Sequence, residues 1–221
     1  MSIAERLQRV RDQVHQAAID AGRDPDDVTL IAVSKTHPVE AVLEAYDAGQ
    51  RHFGESYAQE LAAKAEQLSD RDIAWHFIGR IQTNKASRIA PVSHRVHAVH
   101  SVRHARALGK HSATPVPCLL AVNLGAEDSK TGVSALDTLD VAAAVHEEPT
   151  VRLCGLMTLP PQDEPARPYF ERLAQLAEIG RGRGLPLGEL SMGMTSDYRD
   201  AIACGATWVR VGTAIFGPRT R

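Results

Sequence analysis

A chain of 221 residues with a 43% hydrophobic fraction is long enough to bury one large core. A formal charge of −2 excludes a general electrostatic pull toward nucleic acid or an anionic membrane. Three scattered cysteines, Cys118, Cys154 and Cys204, exclude a disulfide framework and suit a reducing compartment. The N-terminus has no apolar signal core, and charges interrupt every apolar run well short of a membrane span. These features predict a cytoplasmic protein with neither nucleic acid nor membrane as a partner.

Ser2 to Glu5 has the form of a capping box, and Ile3, Leu7, Val10 and Val14 follow at helical spacing. That helix is expected to stop near Gly22. Thr29 to Val33 is a short continuous apolar run, which suits a strand buried on both faces. The chain then alternates. A helix with Val39, Val42, Leu43 and Tyr46 on one side precedes the second strand at Arg51 to Phe53. Ser56 to Gln59 reads as another capping box and opens a helix through Leu68. Strands follow at Ile73 to Ile78, Val96 to Val99 and Pro117 to Leu124, with helices around Asn84 to Ile89 and from Ser101 to Gly109. Ser134 to Asp137 is expected to start a helix with Leu136, Leu139 and Ala143 facing inward. The sixth strand is Val151 to Met157, and a helix runs from about Ala166 to Ile179. The seventh strand begins at Leu190, Asp197 to Ala203 is helical, and Trp208 to Val211 is the eighth.

Eight buried strands alternating with helices imply parallel pairing and right-handed crossovers, hence a TIM-type (β/α)8 barrel. The alternative is an open doubly wound sheet, for which eight strands are many. No linker divides the chain, so residues 1–221 read as a single domain. No outer helix is expected after the eighth strand, and the extra N-terminal helix is expected to take that place on the barrel wall.

In such barrels the active face lies at the C-terminal ends of the strands. Lys35 directly follows the first strand at the rim of an expectedly apolar barrel. Desolvation there lowers a lysine pKa and leaves the neutral amine that a Schiff base requires. The competing reading is a rim ion pair, with Glu55 as the partner. The seventh and eighth strands end in Ser191-Met192-Gly193-Met194-Thr195 and Arg210-Val211-Gly212-Thr213. Their glycines let a backbone approach an anion, and their hydroxyls add donors, so they read as a phosphate site. The competing reading is tight turns that close the barrel. Amine and phosphate loops together point to a phosphorylated carbonyl compound or to pyridoxal phosphate.

Several segments then become specific as a set. Ala32-Val33-Ser34-Lys35-Thr36, Phe53-Gly54-Glu55, Trp75-His76-Phe77-Ile78-Gly79, Gly155-Leu156-Met157, Leu190 to Met194 and Val209 to Gly217 resemble, in order, the signatures of the pyridoxal phosphate homeostasis protein family. That family is similar to the barrel domain of alanine racemase, fold type III of the pyridoxal enzymes. The resemblance implies pyridoxal 5'-phosphate as cofactor, joined to Lys35 as a Schiff base. It places Ser191, Gly193, Met194, Thr195, Gly212 and Thr213 around the phosphate and Arg210 against the pyridine nitrogen. Ser56, His76 and Met157 complete the expected cofactor contacts. Ser56 stands where the family usually has Asn, and its side chain is shorter. Thr195 replaces the more usual Ser and keeps the hydroxyl.

Arg210 favours a carrier over a catalyst. Pyridoxal chemistry through a carbanion benefits from a protonated ring nitrogen, normally held by a carboxylate. An arginine, with a pKa above about 12, disfavours that second charge. Alanine racemases also use a tyrosine from a partner subunit that carries a C-terminal β domain, and this chain is expected to lack that domain. The resulting expectation is a monomeric protein of vitamin B6 homeostasis, with apo-forms of pyridoxal enzymes as candidate recipients. The alternative is a fold type III amino-acid racemase or decarboxylase. A Schiff-base aldolase of the barrel type is a third reading.

Other features are read as structural. His94, His97, His100 and His104 do not share one face of a strand, so no zinc site is assigned. Arg181 to Gly184 reads as a helix end with cations near its negative pole. Lys130 follows the fifth strand and reads as an exposed loop lysine.

Overall fold

Thr29–Val33, the first long apolar run, forms a strand with a neighbour on each side, and the sheet grows from it. The computed structural model describes residues 1–125 and 131–218. Lys130 lies outside the described residues. The strands are β1 (Thr29–Val33), β2 (His52–Glu55), β3 (Ala74–Phe77), β4 (Arg95–Val99), β5 (Val116–Asn123), β6 (Val133–Ser134), β7 (Val151–Thr158), β8 (Glu189–Ser191) and β9 (Trp208–Val211). The helices are α1 (Ile3–Asp20), α2 (Val39–Asp47), α3 (Ala58–Gln67), α4 (Ala86–Ile89), α5 (Val102–Gly109), α6 (Thr138–His146), α7 (Arg167–Gly182), α8 (Tyr198–Ala203) and α9 (Thr213–Phe216).

All pairings are parallel, in the order β4-β3-β2-β1-β9-β8-β7-β5, and β4 also pairs with β5. That last pairing closes the ring. Eight strands therefore form the expected barrel. β1 and β9 meet at the seam, where Thr29 to Ala32 run beside Trp208 to Val211. β6 is an addition that the sequence did not signal. It pairs with Val122 and Asn123, at the mouth end of β5.

α1 occupies the expected gap in the helical wall and packs on α2, α8 and α9. Its capping box is complete, with Ser2 accepting from the Glu5 backbone and Glu5 accepting from that of Ser2. Leu7, Val10 and Val14 are buried. Arg6 Nε donates to the Ile215 carbonyl at 2.6 Å, which ties α1 to the far end of the chain. The last strand is followed by the single turn α9, against which α1 packs.

Two helix starts also differ. α3 begins at Ala58 after Tyr57, and Ser56 does not cap it, because the chain turns at Ser56 against Gly79. Ser134 does accept the Asp137 N–H at 3.2 Å, but it belongs to β6, and α6 starts at Thr138. Leu136 is consequently 92% exposed, and Thr138, Ala142 and Val145 form the buried face instead.

The apolar core lies chiefly between the ring and its helices, where Leu7, Leu61, Leu108 and Phe170 are fully buried. The interior of the ring departs from expectation. It holds a column of polar side chains that includes His76, His97, Ser191 and Arg210, all buried. Below them, Arg95 and Glu189 pair at 2.7 Å, and Trp208 Nε1 donates to Glu189 at 2.8 Å. Among the described residues no helix is long and apolar enough to cross a membrane.

Candidate functional site

Lys35 lies one residue beyond the end of β1, after Ser34, and the backbone on either side of it is fixed. Ser34 Oγ donates to Glu55 Oε1 at 2.7 Å, and Lys64 Nζ donates both to that oxygen and to the Ser34 carbonyl, at 2.7 and 2.8 Å. The Thr36 N–H donates to Glu60 Oε1 at 2.7 Å, an oxygen that also accepts from Lys64. Thr36 has φ 65°, a left-handed conformation that a β-branched residue seldom adopts. The surrounding ion network thus holds a strained turn beside the amine. Glu55, the acid considered as a partner for Lys35, is bonded to Lys64. Burial raises the Glu55 carboxyl above its ordinary range, against the opposing pull of Lys64.

A cavity of about 210 Å³ opens at this end of the ring. Lys35 lines it after β1, and Ser56 after β2. Met157 comes from β7, Met194 and Thr195 follow β8, Arg210 lies in β9, and Gly212 and Thr213 follow it. The structure brings these together, as the barrel requires of residues at strand ends. Val33, His37, Ile78, Leu159 and Gly217 also line the cavity and were not identified from sequence. His37 stacks on Phe216 with ring centroids 5.2 Å apart. Val33, Ile78 and Gly217 lay inside the family-like motifs without being assigned to the site, whereas His37 and Leu159 sit outside strands and helices, where no periodicity marks the inward side.

Three expected contacts lie elsewhere. His76 is fully buried beneath the cavity and makes its hydrogen bonds to other histidines. Ser191 is also fully buried, with its hydroxyl committed to Arg210 and His97. Gly193 acts through its backbone. It has φ 91°, and a Cβ there would sit 2.5 Å from that of Ala201. Its carbonyl accepts from the Arg210 N–H at 3.0 Å. The Met194 N–H donates to Asp197 Oδ1 at 2.6 Å, so that amide is already engaged within the turn.

Arg210 is 4% exposed. Nη1 donates to Ser191 Oγ, and Nη2 donates to the Thr158 carbonyl at 3.0 Å. Burial pushes its pKa down to about 10, with Asp197 opposing the shift. That is lower than the sequence-based value, yet the group remains a cation at neutral pH. The site therefore joins an amine, a buried cation, three hydroxyls and a bare glycine backbone to an apolar wall of Val33, Ile78 and Met157. Cys118, by contrast, is an inert thiol, raised to about 12 by burial.

The model of the alanine racemase N-terminal domain matches residues 6–220. A pyridoxal phosphate homeostasis protein of Pseudomonas aeruginosa is 44% identical over 227 residues, covering 99% of this chain and 96% of that one. The chain belongs to the pyridoxal phosphate homeostasis protein family. Another family member, from Escherichia coli K12, is 42% identical and covers 98% of this chain and 97% of its own. PipY of Synechococcus elongatus PCC7942 is 37% identical and covers 98% of this chain and 100% of its own. It superposes with a TM-score of 0.88 in its structure without PLP and 0.86 in the structure with PLP bound. Outside the family, alanine racemase of Clostridium difficile 630 has a TM-score of 0.71 at 11% identity, covering 93% of this chain and 56% of that one, which shows the shared barrel fold.

Proposed function

We propose that this chain binds pyridoxal 5'-phosphate as a Schiff base on Lys35 and serves as a monomeric cytoplasmic carrier in vitamin B6 homeostasis, delivering the cofactor to apo-forms of pyridoxal enzymes. The observation that carries the reading is the convergence of Lys35, Arg210 and the two hydroxyl- and glycine-bearing turns on one cavity, in a relative of a protein solved with PLP bound. The donor set fits each part of that molecule. Lys35 supplies the amine, which forms a C=N bond with the aldehyde carbon and releases water. Thr195 and Thr213 offer hydroxyls to the phosphate, and Gly212 offers a backbone without a side chain. Arg210 faces the pyridine nitrogen as a cation and disfavours its protonation. That suits retention of the cofactor better than its use as an electron sink.

The test is the visible absorbance of protein loaded with pyridoxal phosphate and freed of excess by gel filtration. The wild type is expected to retain a visible band and Lys35→Ala to lose it. Loaded protein is expected to restore activity to an apo-aminotransferase and to elute at the mass of one chain. A band that survives in Lys35→Ala sinks the covalent assignment. Racemisation or decarboxylation of amino acids at ordinary enzyme rates, on the order of 1–1000 per second, sinks the carrier reading.

A further inference from the structure

A line of hydrogen bonds runs down the barrel from Arg210, and the cavity itself does not account for it. His97 Nδ1 lies 2.8 Å from Ser191 Oγ, the same oxygen that accepts from Arg210. His97 Nε2 lies 2.9 Å from His76 Nδ1. His76 Nε2 lies 3.0 Å from His52 Nδ1. His76, His97 and Ser191 are fully buried. His52 is half-buried and is the first residue of β2, at the end of the barrel opposite the cavity. The line is thus unbroken from the cavity floor to the far end of the ring.

A neutral imidazole has one donor and one acceptor nitrogen. In a series of N···N bonds, the tautomer of one ring therefore dictates that of the next. Only two arrangements satisfy every bond. In one, each Nδ1–H points toward Arg210, and Ser191 Oγ accepts from both His97 and the guanidinium. In the other, Ser191 donates to His97, and each Nε2–H points toward His52. Burial, followed by mutual repulsion and the charge of Arg210 or Arg95, holds His76 and His97 neutral, which the series requires. The groups acting on His52 are His94, Arg95 and Asp72, with Arg95 paired to Glu189 and the Trp208 ring 5.6 Å away. A buried cation whose hydrogen-bond partners are a hydroxyl and a carbonyl gains when that hydroxyl itself donates onward, as Ser191 does in the second arrangement, because hydrogen bonds chained donor to acceptor polarise one another.

We propose that His97, His76 and His52 are positioning residues for Arg210: a one-directional hydrogen-bond chain that fixes the guanidinium at the cavity floor and ties the Ser191 hydroxyl to the tautomer of His52. Its functional meaning rests on the reading that Arg210 faces the cofactor ring. The experiment is a long-range proton–nitrogen correlation spectrum of the full-length, histidine-labelled protein without cofactor. His52, His76 and His97 are expected to share one tautomer, with His76 and His97 neutral from pH 8 to 5.5. His52→Phe is expected to shift the His97 Nδ1 resonance, although the two rings share no bond. In loaded protein, His97→Phe is expected to weaken retention of pyridoxal phosphate about tenfold and to move the visible band, because Arg210 loses the support of its acceptor. Mixed tautomers, a protonated His76 or His97, or an unmoved His97 signal in folded His52→Phe overturns the proposal. Those spectra need no cofactor, so they separate this failure from a failure of Lys35 to bind pyridoxal phosphate.

Discussion

Ser191 carries one hydroxyl between two buried nitrogen groups, so its removal is felt twice. In Ser191→Ala, the Arg210 guanidinium loses an acceptor and His97 Nδ1 loses a partner. Both are desolvated, and the expected loss is about 2–3 kcal/mol, measured as a fall in the urea midpoint at unchanged m-value. A donor at the cavity surface, such as the Thr213 hydroxyl, is expected to cost far less when removed from the unliganded protein. The sequence showed Ser191 beside Gly193 and Thr195, and that company suggested a phosphate ligand. It could not show the direction of the side chain, because β8 is three residues long and its last two are buried, leaving no alternation to read. Lys35 and Arg210 were legible for the opposite reason. Lys35 comes just after the apolar run Leu30 to Val33, Arg210 is next to last in β9, and the barrel places such strand ends at the mouth whatever the details of packing.

Gly79 shows how two strand-end turns are kept apart at the mouth. A Cβ at that position would lie 1.9 Å from the Ser56 carbonyl oxygen, which is backbone and has no rotamer to change. Gly79→Ala is expected to cost at least about 3 kcal/mol or to displace the β2 turn with Ser56, and either outcome is visible as a lower melting temperature and weaker cofactor retention. The strands were the legible elements. The longer apolar runs stand out because both faces of a parallel barrel strand are covered, and the shorter β2 and β8 were placed by their position in the alternation of strands and helices. Helix starts were less so. Ser2 caps α1 as its spacing implies, whereas Ser56 has the same pattern and is drawn into the turn against Gly79 instead. β6 escaped notice because two residues carry no period. That short pairing moved the start of α6 and left Leu136 in solvent.

Across the whole molecule, the histidine column makes stability depend on pH in a defined direction. His76 and His97 have folded pKa values well below the ordinary 6.5, chiefly through burial. The unfolded chain therefore binds protons below pH 6.5 that the folded chain refuses. Stability from these groups is fully present above pH 6.5 and falls as the pH drops toward their folded values. The expected loss is about 1.4 kcal/mol per pH unit for each ring. Urea midpoints at pH 7.5, 6.5 and 5.5 check the slope, and His76→Gln is expected to remove one ring's share of it. A flat acid limb refutes the neutral column. Composition gave no hint of this, since ten histidines in a chain of net charge −2 look like ordinary surface residues until the ring gathers three of them inside. The seam between β1 and β9 has a further result. Lys35 leaves one side of it and Arg210, Gly212 and Thr213 leave the other, while α1 is tied to Ile215 across the same join. A molecule held by both groups acts as a clasp on a necklace, so saturating ligand should slow the ring's opening and shield the two chain ends from proteases before it protects any other part of the fold.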